Sequence, residues 1–303
     1  MKKRMKLVAV ILTFVLFGAM ALGSGSDSSS SDGTSSAGSP GNSDSKVEYT
    51  LSDETIVDND QCVFRIVEVN EKNGGAEFTA YCENKTENLT LMFAIEDAVV
   101  NGCAIDPLWA ESVAAGKKSN ESFSFSKNQL KEYGLSSVDE LRFKLRVYDA
   151  DDWLADKIVE DYFTLYPTGK STDTVVIYRR EGTDSDEVIM DQDGLKFVVT
   201  GTDADSIWGY TVNGYFENET DKSVLFNWED VSVNGFMCDP FFATSLPPHS
   251  CKYTGISFSS YSFEENGIEE VEDIEFTLNV RDVSDILNTL FNETITLSLT
   301  AEG

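Results

Sequence analysis

Residues 141–147 read Leu141-Arg142-Phe143-Lys144-Leu145-Arg146-Val147, and 133 positions further on the chain reads Ile274-Glu275-Phe276-Thr277-Leu278-Asn279-Val280. Each stretch alternates a large apolar side chain with a polar or charged one. Successive side chains leave a pleated backbone on opposite faces, so a strict period of two marks a β-strand with one face buried and the other wet.

The same offset holds around these strands. With Asn101-Gly102 set against Asn234-Gly235, the two copies run without a gap to Asp149 and Asp282. Identities fall at Asp106/Asp239, Pro107/Pro240, Ala110/Ala243, Ser112/Ser245, Phe125/Phe258, Gly134/Gly267 and Val138/Val271, and Leu108-Trp109 meets Phe241-Phe242. A one-residue gap carries the match upstream, to Glu83-Asn84 with Glu217-Asn218 and Phe64 with Phe197. Such a period is domain-sized, well above the ~20–50 residues of a solenoid unit. It predicts two copies of one unit, over 47–168 and 172–301.

Further strands are expected near 62–69, 76–84, 89–101, 120–126 and 158–165, with counterparts in the second copy. The turn signals Asn73-Gly74-Gly75, Asn101-Gly102 and Gly116-Lys117 separate them. Ser126-Lys127-Asn128-Gln129 has the spacing of a capping box, and Gly134 and Gly267 can end a short helical turn in each copy. The expected fold is therefore all-β: two tandem immunoglobulin-like antiparallel β-sandwich domains, each with one short helical turn.

Ahead of the repeats, the basic residues Lys2, Lys3, Arg4 and Lys6 precede an apolar run from Leu7 to Leu22, broken by Thr13. This reads as an export signal over 1–22, shorter than the ~20 apolar residues of a spanning helix. Residues 23–46 are Ser/Gly-rich with no large apolar side chain, the composition of a disordered spacer. The end, Leu297 to Gly303, reads as lacking an apolar tail or sorting motif. The expected address is secreted, or the extracellular face of the cell envelope, with membrane contact only through an uncleaved leader.

Val100-Asn101-Gly102 with Asp106-Pro107-Leu108-Trp109-Ala110, and Val233-Asn234-Gly235 with Asp239-Pro240-Phe241-Phe242-Ala243, are each followed by the helical turn and a Phe-x-Leu-x-Val strand. In this pattern the chain resembles the bacterial exported immunoglobulin-like domain proteins of Gram-positive type. The likeness covers about 47 to 301 and implies the sandwich fold and a surface address. Most members have no assigned activity, so it implies no functional residues. Ser24 stands where the lipoprotein leader common in that group has its lipidated cysteine.

Charge and composition exclude several classes. Lys and Arg number 23 against 53 Asp and Glu, a net charge of −30. A surface so acidic repels nucleic-acid phosphates and anionic headgroups. One histidine, His249, argues against His-based triads and His-ligated zinc or haem. Neither a Gly-x-Ser-x-Gly elbow, a phosphate loop nor an H-E-x-x-H motif occurs, and no cofactor is expected. Glu96-Asp97 and Glu229-Asp230 recur, but alternation sends adjacent carboxylates to opposite faces, which does not make a hydrolase pair. Acidic runs such as Asp149 to Asp156, Asp191 with Asp193, and Asp203 with Asp205 fit no EF-hand loop and read as solvated turns.

The candidate ligand-binding residues are Asp106, Trp109, Asp239 and Phe242, since an aromatic after Asp-Pro can present a flat apolar face to a sugar or peptide; Trp153 is a further candidate. The plain alternative is that these rings cap the ends of the sandwiches. Five cysteines in an exported chain permit two bridges. Cys62–Cys82, flanking one hairpin, and Cys238–Cys251, bracketing one loop, are the candidates, leaving Cys103 over; all five being reduced is the alternative. The expected function is a non-catalytic interaction or spacer module with an extracellular protein or glycan partner. A carbohydrate-binding module is the second reading, and an enzyme with an unrecognised carboxylate site the third.

Overall fold

The computed structural model describes residues 47–152 and 154–299. The expected export signal over 1–22 and spacer over 23–46 lie outside the described residues, as does Trp153. The described residues are all-β with two short helices. The first copy runs β1 (Ser52–Asp58), β2 (Cys62–Lys72), β3 (Gly75–Asn84), β4 (Leu91–Val100), β5 (Cys103–Ala104), β6 (Ala110–Val113), β7 (Lys118–Phe125), α1 (Lys127–Glu132), β8 (Leu141–Asp149) and β9 (Val159–Leu165). The second runs β10 (Glu187–Gln192), β11 (Leu195–Asp203), β12 (Tyr210–Asn218), β13 (Val224–Val233), β14 (Phe236–Met237), β15 (Ala243–Leu246), β16 (Ser250–Phe258), α2 (Ser260–Asn266), β17 (Asp273–Asp282) and β18 (Asp285–Ser298).

In the first copy β1-β2-β3-β7 form one sheet, and β5-β4-β8-β9, with β6 beside β4, form the other. The second copy repeats this strand for strand, as β10-β11-β12-β16 and β14-β13-β17-β18 with β15 beside β13. Even the register recurs: Leu91 sits opposite Val113 and Asp149, Val224 opposite Leu246 and Asp282.

The alternating strands do as their pattern requires. Leu141, Phe143, Leu145 and Val147 are buried, as are Ile274, Phe276, Leu278 and Val280. Phe64 of β2 meets Phe93 of β4 and Phe143 of β8 across the sheets, each at 6.4 Å between ring centroids. In the second copy Phe197 stacks on Phe216 at 4.3 Å and Trp228 on Phe276 at 3.7 Å. Each such ring taken out of water contributes roughly 1.5–3 kcal/mol, which makes these layers the main stabilising term.

Local chemistry sets the turns. Asn101-Gly102 and Asn234-Gly235 take positive φ at both residues, 48° and 89°, 50° and 81°, the conformation of a two-residue hairpin turn whose twist matches its strands. The Asn side chain has a second task in both copies. Asn101 Oδ1 accepts from the Asp139 and Glu140 N–H at 2.9 Å, and Asn234 Oδ1 accepts from Glu272 and Asp273. Ser126 and Gln129 close a capping box on α1, and Gly134 ends it at φ 66°.

Three features depart from the expectations. First, Asp97 and Asp230 adopt positive φ inside bulges in β4 and β13. Alternation is therefore interrupted just where Glu96-Asp97 and Glu229-Asp230 stand. Secondly, the join is an ordered stretch without strands from 166 to 186, rather than the few residues around 168–172. Thr168 and Lys170 bind the Asp139 carboxylate, and the Tyr178 N–H donates to Asn101 O at 2.8 Å. Thirdly, β5 lies parallel to β16, with Cys103 opposite Cys251. That bridge joins β10-β11-β12-β16 and β5-β4-β8-β9 into one nine-stranded sheet.

The buried residues nevertheless fall into two clusters. The second draws only on residues from Met190 onward, whereas the first includes Val198, Tyr215 and Cys251 from the second copy.

Candidate functional site

The two Asp-Pro loops follow the same hairpin, yet their surroundings differ. In the first copy the Asp106 carboxylate accepts the Leu108 N–H at 2.7 Å, closing a tight turn in which Leu108 takes φ 50°. That turn sends Trp109 back to the core, where its ring lies 6.0 Å from Phe64 and 5.8 Å from Phe123. Phe242 does the same in the second copy, 5.6 Å from Phe216 and 5.7 Å from Trp228. Both predicted rings are thus half-buried caps on the hydrophobic layers. The residues that project are their neighbours, Leu108 at 88% and Phe241 at 77% exposed. Asp106 and Asp239 are both exposed.

The first loop is drawn to the junction between copies. Lys252 of β16 lies within electrostatic reach of Asp106 and of Glu132 at the end of α1. Burial pushes the Lys252 ammonium down and raises the Glu132 carboxyl. Beside them four tyrosines interlock. Tyr133 meets Tyr178 at 5.4 Å and Tyr253 at 5.5 Å, and Tyr215 meets Tyr253 at 5.1 Å. The Tyr178 and Tyr253 hydroxyls are 2.9 Å apart, and the Tyr253 N–H donates to the Tyr133 hydroxyl. Cys251 N–H donates to Gly102 O at 2.9 Å, and the Arg142 guanidinium donates to the Pro248 carbonyl. A shallow depression of about 340 Å³ beside this junction is lined by Glu132, Thr200, Asn213 and Tyr253, near the small end of ligand sites.

The second loop stays open. β14, the copy of β5, pairs only with β13, and its Phe236 and Met237 face solvent. Phe241 bridges to Ser257 of β16 through its N–H. Gly209 packs against the carbonyl of Phe258, where an added Cβ would lie 2.0 Å from that oxygen. These contacts gather 206–209, the Asp239 loop and the start of α2 at one end of the second copy. There Ile207 is 91% and Trp208 69% exposed, and Tyr261 on α2 is exposed as well. Ile207 and Trp208 sit in a loop that has no counterpart in the first copy, where β2 and β3 are joined by the two residues Asn73-Gly74. The sequence signal was a Trp in a polar, Gly-ended loop, Asp203 to Gly209.

The recurring carboxylates are spent on arginines. Glu96 accepts from Arg146 at 2.7 Å and Glu229 from Arg281 at 2.9 Å, while Asp97 accepts the Tyr162 hydroxyl at 2.6 Å. Asp149, Asp152 and Asp203 accept backbone N–H groups two residues on, the usual use of Asp in a turn. Among the described residues no cluster of three or more His, Cys, Asp or Glu side chains is arranged to hold a metal ion. No helix among them is long and apolar enough to cross a membrane.

All five cysteines are buried free thiols, and the register separates both expected pairs. Cys62 sits opposite Asn84 and Cys82 opposite Phe64, because the hairpin turns at Asn73-Gly74 rather than at 72. The two cysteines are therefore diagonal neighbours, ~7–8 Å apart in a typical ladder, too far to bridge without backbone movement. Burial pushes the Cys62 thiol up to about 11 and raises Cys82 as well. Cys238 packs in the second core, receiving hydrogen bonds from Ser262 and Asn266. Its expected partner Cys251 belongs to the first core and faces Cys103.

Comparison with known proteins adds little. No protein-family model matches the chain, and no curated protein matches it in sequence. Among solved structures it is similar to red sea bream transglutaminase at a TM-score of 0.22 and 8% identity, over 79% of this chain and 31% of that one. The chain thus spans about a third of that protein's length, and a likeness so slight carries no argument about function.

Proposed function

We propose that the protein is a non-catalytic exported module of two tandem immunoglobulin-like sandwiches, of the bacterial surface type its sequence resembles. Its junction serves as a rigid coupling, and the free end of its second copy recognises an extracellular protein. The carrying observation is the contrast between equivalent ends. In the first copy β5 is covered by β16, while in the second β14 and its neighbours display Phe236, Met237, Phe241, Ile207 and Trp208 on an otherwise strongly acidic chain. Exposed apolar groups concentrated at loop ends of a scaffold are the usual form of a recognition surface.

A carbohydrate-binding module is the second reading, favoured by the exposure of Trp208, Tyr261 and Phe241. The test immobilises the full chain and a Trp208→Ser/Phe241→Ser variant against an extracellular protein fraction and a glycan array. Protein binding that falls at least tenfold in the variant is the expected result. Glycan binding lost in the same variant selects the second reading, and equal binding by both chains overturns the site.

A further inference from the structure

None of the five cysteines has a cysteine at the equivalent position of the other copy. The counterpart of Cys103 is Phe236, and that of Cys251 is Lys118. The two cysteines lie 148 residues apart in sequence, yet they sit on the two strands by which the copies meet. They are direct register partners in the parallel β5–β16 bridge, and both are fully buried. Directly opposed residues on neighbouring strands fall within the Cα separation that a disulfide spans. The thiols are within hydrogen-bonding reach of each other. The Cys251 N–H bond to Gly102 O belongs to that bridge, so the backbones are already docked.

We propose that Cys103 and Cys251 are a disulfide site that covalently locks the two copies together when the chain meets an oxidising environment. The proposal takes its oxidant from the exported address. The acceptor is a small-molecule disulfide such as oxidised glutathione. The Cys251 thiolate attacks one acceptor sulfur, and the other leaves as a thiolate and takes up a proton. The Cys103 thiolate then displaces the remaining acceptor sulfur from Cys251 Sγ, forming the Sγ–Sγ bond. Two cysteine thiols lose two electrons and two protons, and the acceptor becomes two thiols. The balance is the same with the two cysteines exchanged, since either thiolate can make the first attack and the other resolves the mixed disulfide. Burial of both sulfurs places the exchange before or during docking of the copies, and protects the finished bond from later reduction.

The test uses the full chain, refolded in a defined glutathione buffer so that failure of the geometry is distinct from failure of the exported address. Free thiols are alkylated under denaturing, non-reducing conditions, followed by intact and peptide mass spectrometry. The expected result is three alkylated thiols, Cys62, Cys82 and Cys238, and one linked peptide pair holding Cys103 and Cys251. Five alkylated thiols, or a link at Cys62–Cys82 or Cys238–Cys251, would overturn it. A thermal readout covers poor recovery on refolding. Reductant lowers the melting midpoint of the oxidised wild type by roughly 5–15 °C and leaves a Cys103→Ala/Cys251→Ala variant unmoved. An identical response from the two chains refutes the lock.

Discussion

β5 and β14 begin as the same piece of chain: a hairpin turn, two residues of strand, then an Asp-Pro loop. β5 carries Cys103 and Ala104 and disappears beneath β16, whereas β14 carries Phe236 and Met237 and remains an outer edge. The difference shows how a duplicated fold acquires a direction. One unit is used as a socket and the other as an end. The hydrophobic clusters carry the same asymmetry, since the first includes side chains of the second copy and the second includes none of the first.

The largest test of that asymmetry replaces the equivalent phenylalanines. Phe143→Ala and Phe276→Ala each remove a fully buried ring and should cost about 3–5 kcal/mol by denaturant unfolding. Hydrogen exchange separates them. Phe276→Ala is expected to raise exchange in both copies, because the first core loses the support of Val198, Tyr215 and Cys251. Phe143→Ala should leave the second copy protected. Equal spread from both variants would break the comparison.

A smaller effect is expected from one methyl group placed at the two turn glycines. Gly102 and Gly235 both have positive φ, so alanine at either costs ~1–2 kcal/mol of backbone strain. At Gly102 the new Cβ would also lie 2.6 Å from Ile177 Cγ2, while at Gly235 nothing lies within 4 Å. Gly102→Ala should therefore destabilise by about 3 kcal/mol and Gly235→Ala by little more than 1, as melting or urea curves would report.

The smallest effect is a pH dependence in the second copy. Hydrogen bonds from Lys222 at 2.7 Å and from Ser284 hold the Asp282 carboxyl well below the usual carboxylate range. A carboxyl that titrates lower in the folded chain stabilises it fully above about pH 4; that support begins to fade as the pH falls below the unfolded value and is gone once it has passed through the folded one. Between pH 7 and pH 3 the wild type should lose more stability to urea than Asp282→Asn. Parallel losses would remove this ion pair from the account.

Much of the fold was legible because its signals are local. The alternation around Phe143 and Phe276, the Asn-Gly turns and the Ser126–Gln129 cap each concern residues within a few positions of one another, and the strands lie where the pattern puts them. The bulges at Asp97 and Asp230 were not legible, since a one-residue slip leaves the composition unchanged while altering which face each carboxylate meets. In the Asp-Pro loops the rings singled out in the sequence are half-buried, and their neighbours Leu108 and Phe241 project. The aromatic nature of Trp109 and Phe242 is visible, but both rings turn in although Leu108 takes positive φ and Phe241 does not, so the layers that receive them decide the direction. The cysteine pairs were drawn between near neighbours in sequence, whereas the pair that meets is separated by more than a whole repeat.

From its residues alone this chain is committed to a duplicated β-rich unit and to a net charge of −30, because hydrophobic period and charge act on each segment without reference to distant ones. Which copy is covered and which is open, and which thiols become neighbours, were settled only when the folded copies docked. Those outcomes depend on contacts between residues far apart in the chain, some of them shared in the first core, and no local pattern encodes them.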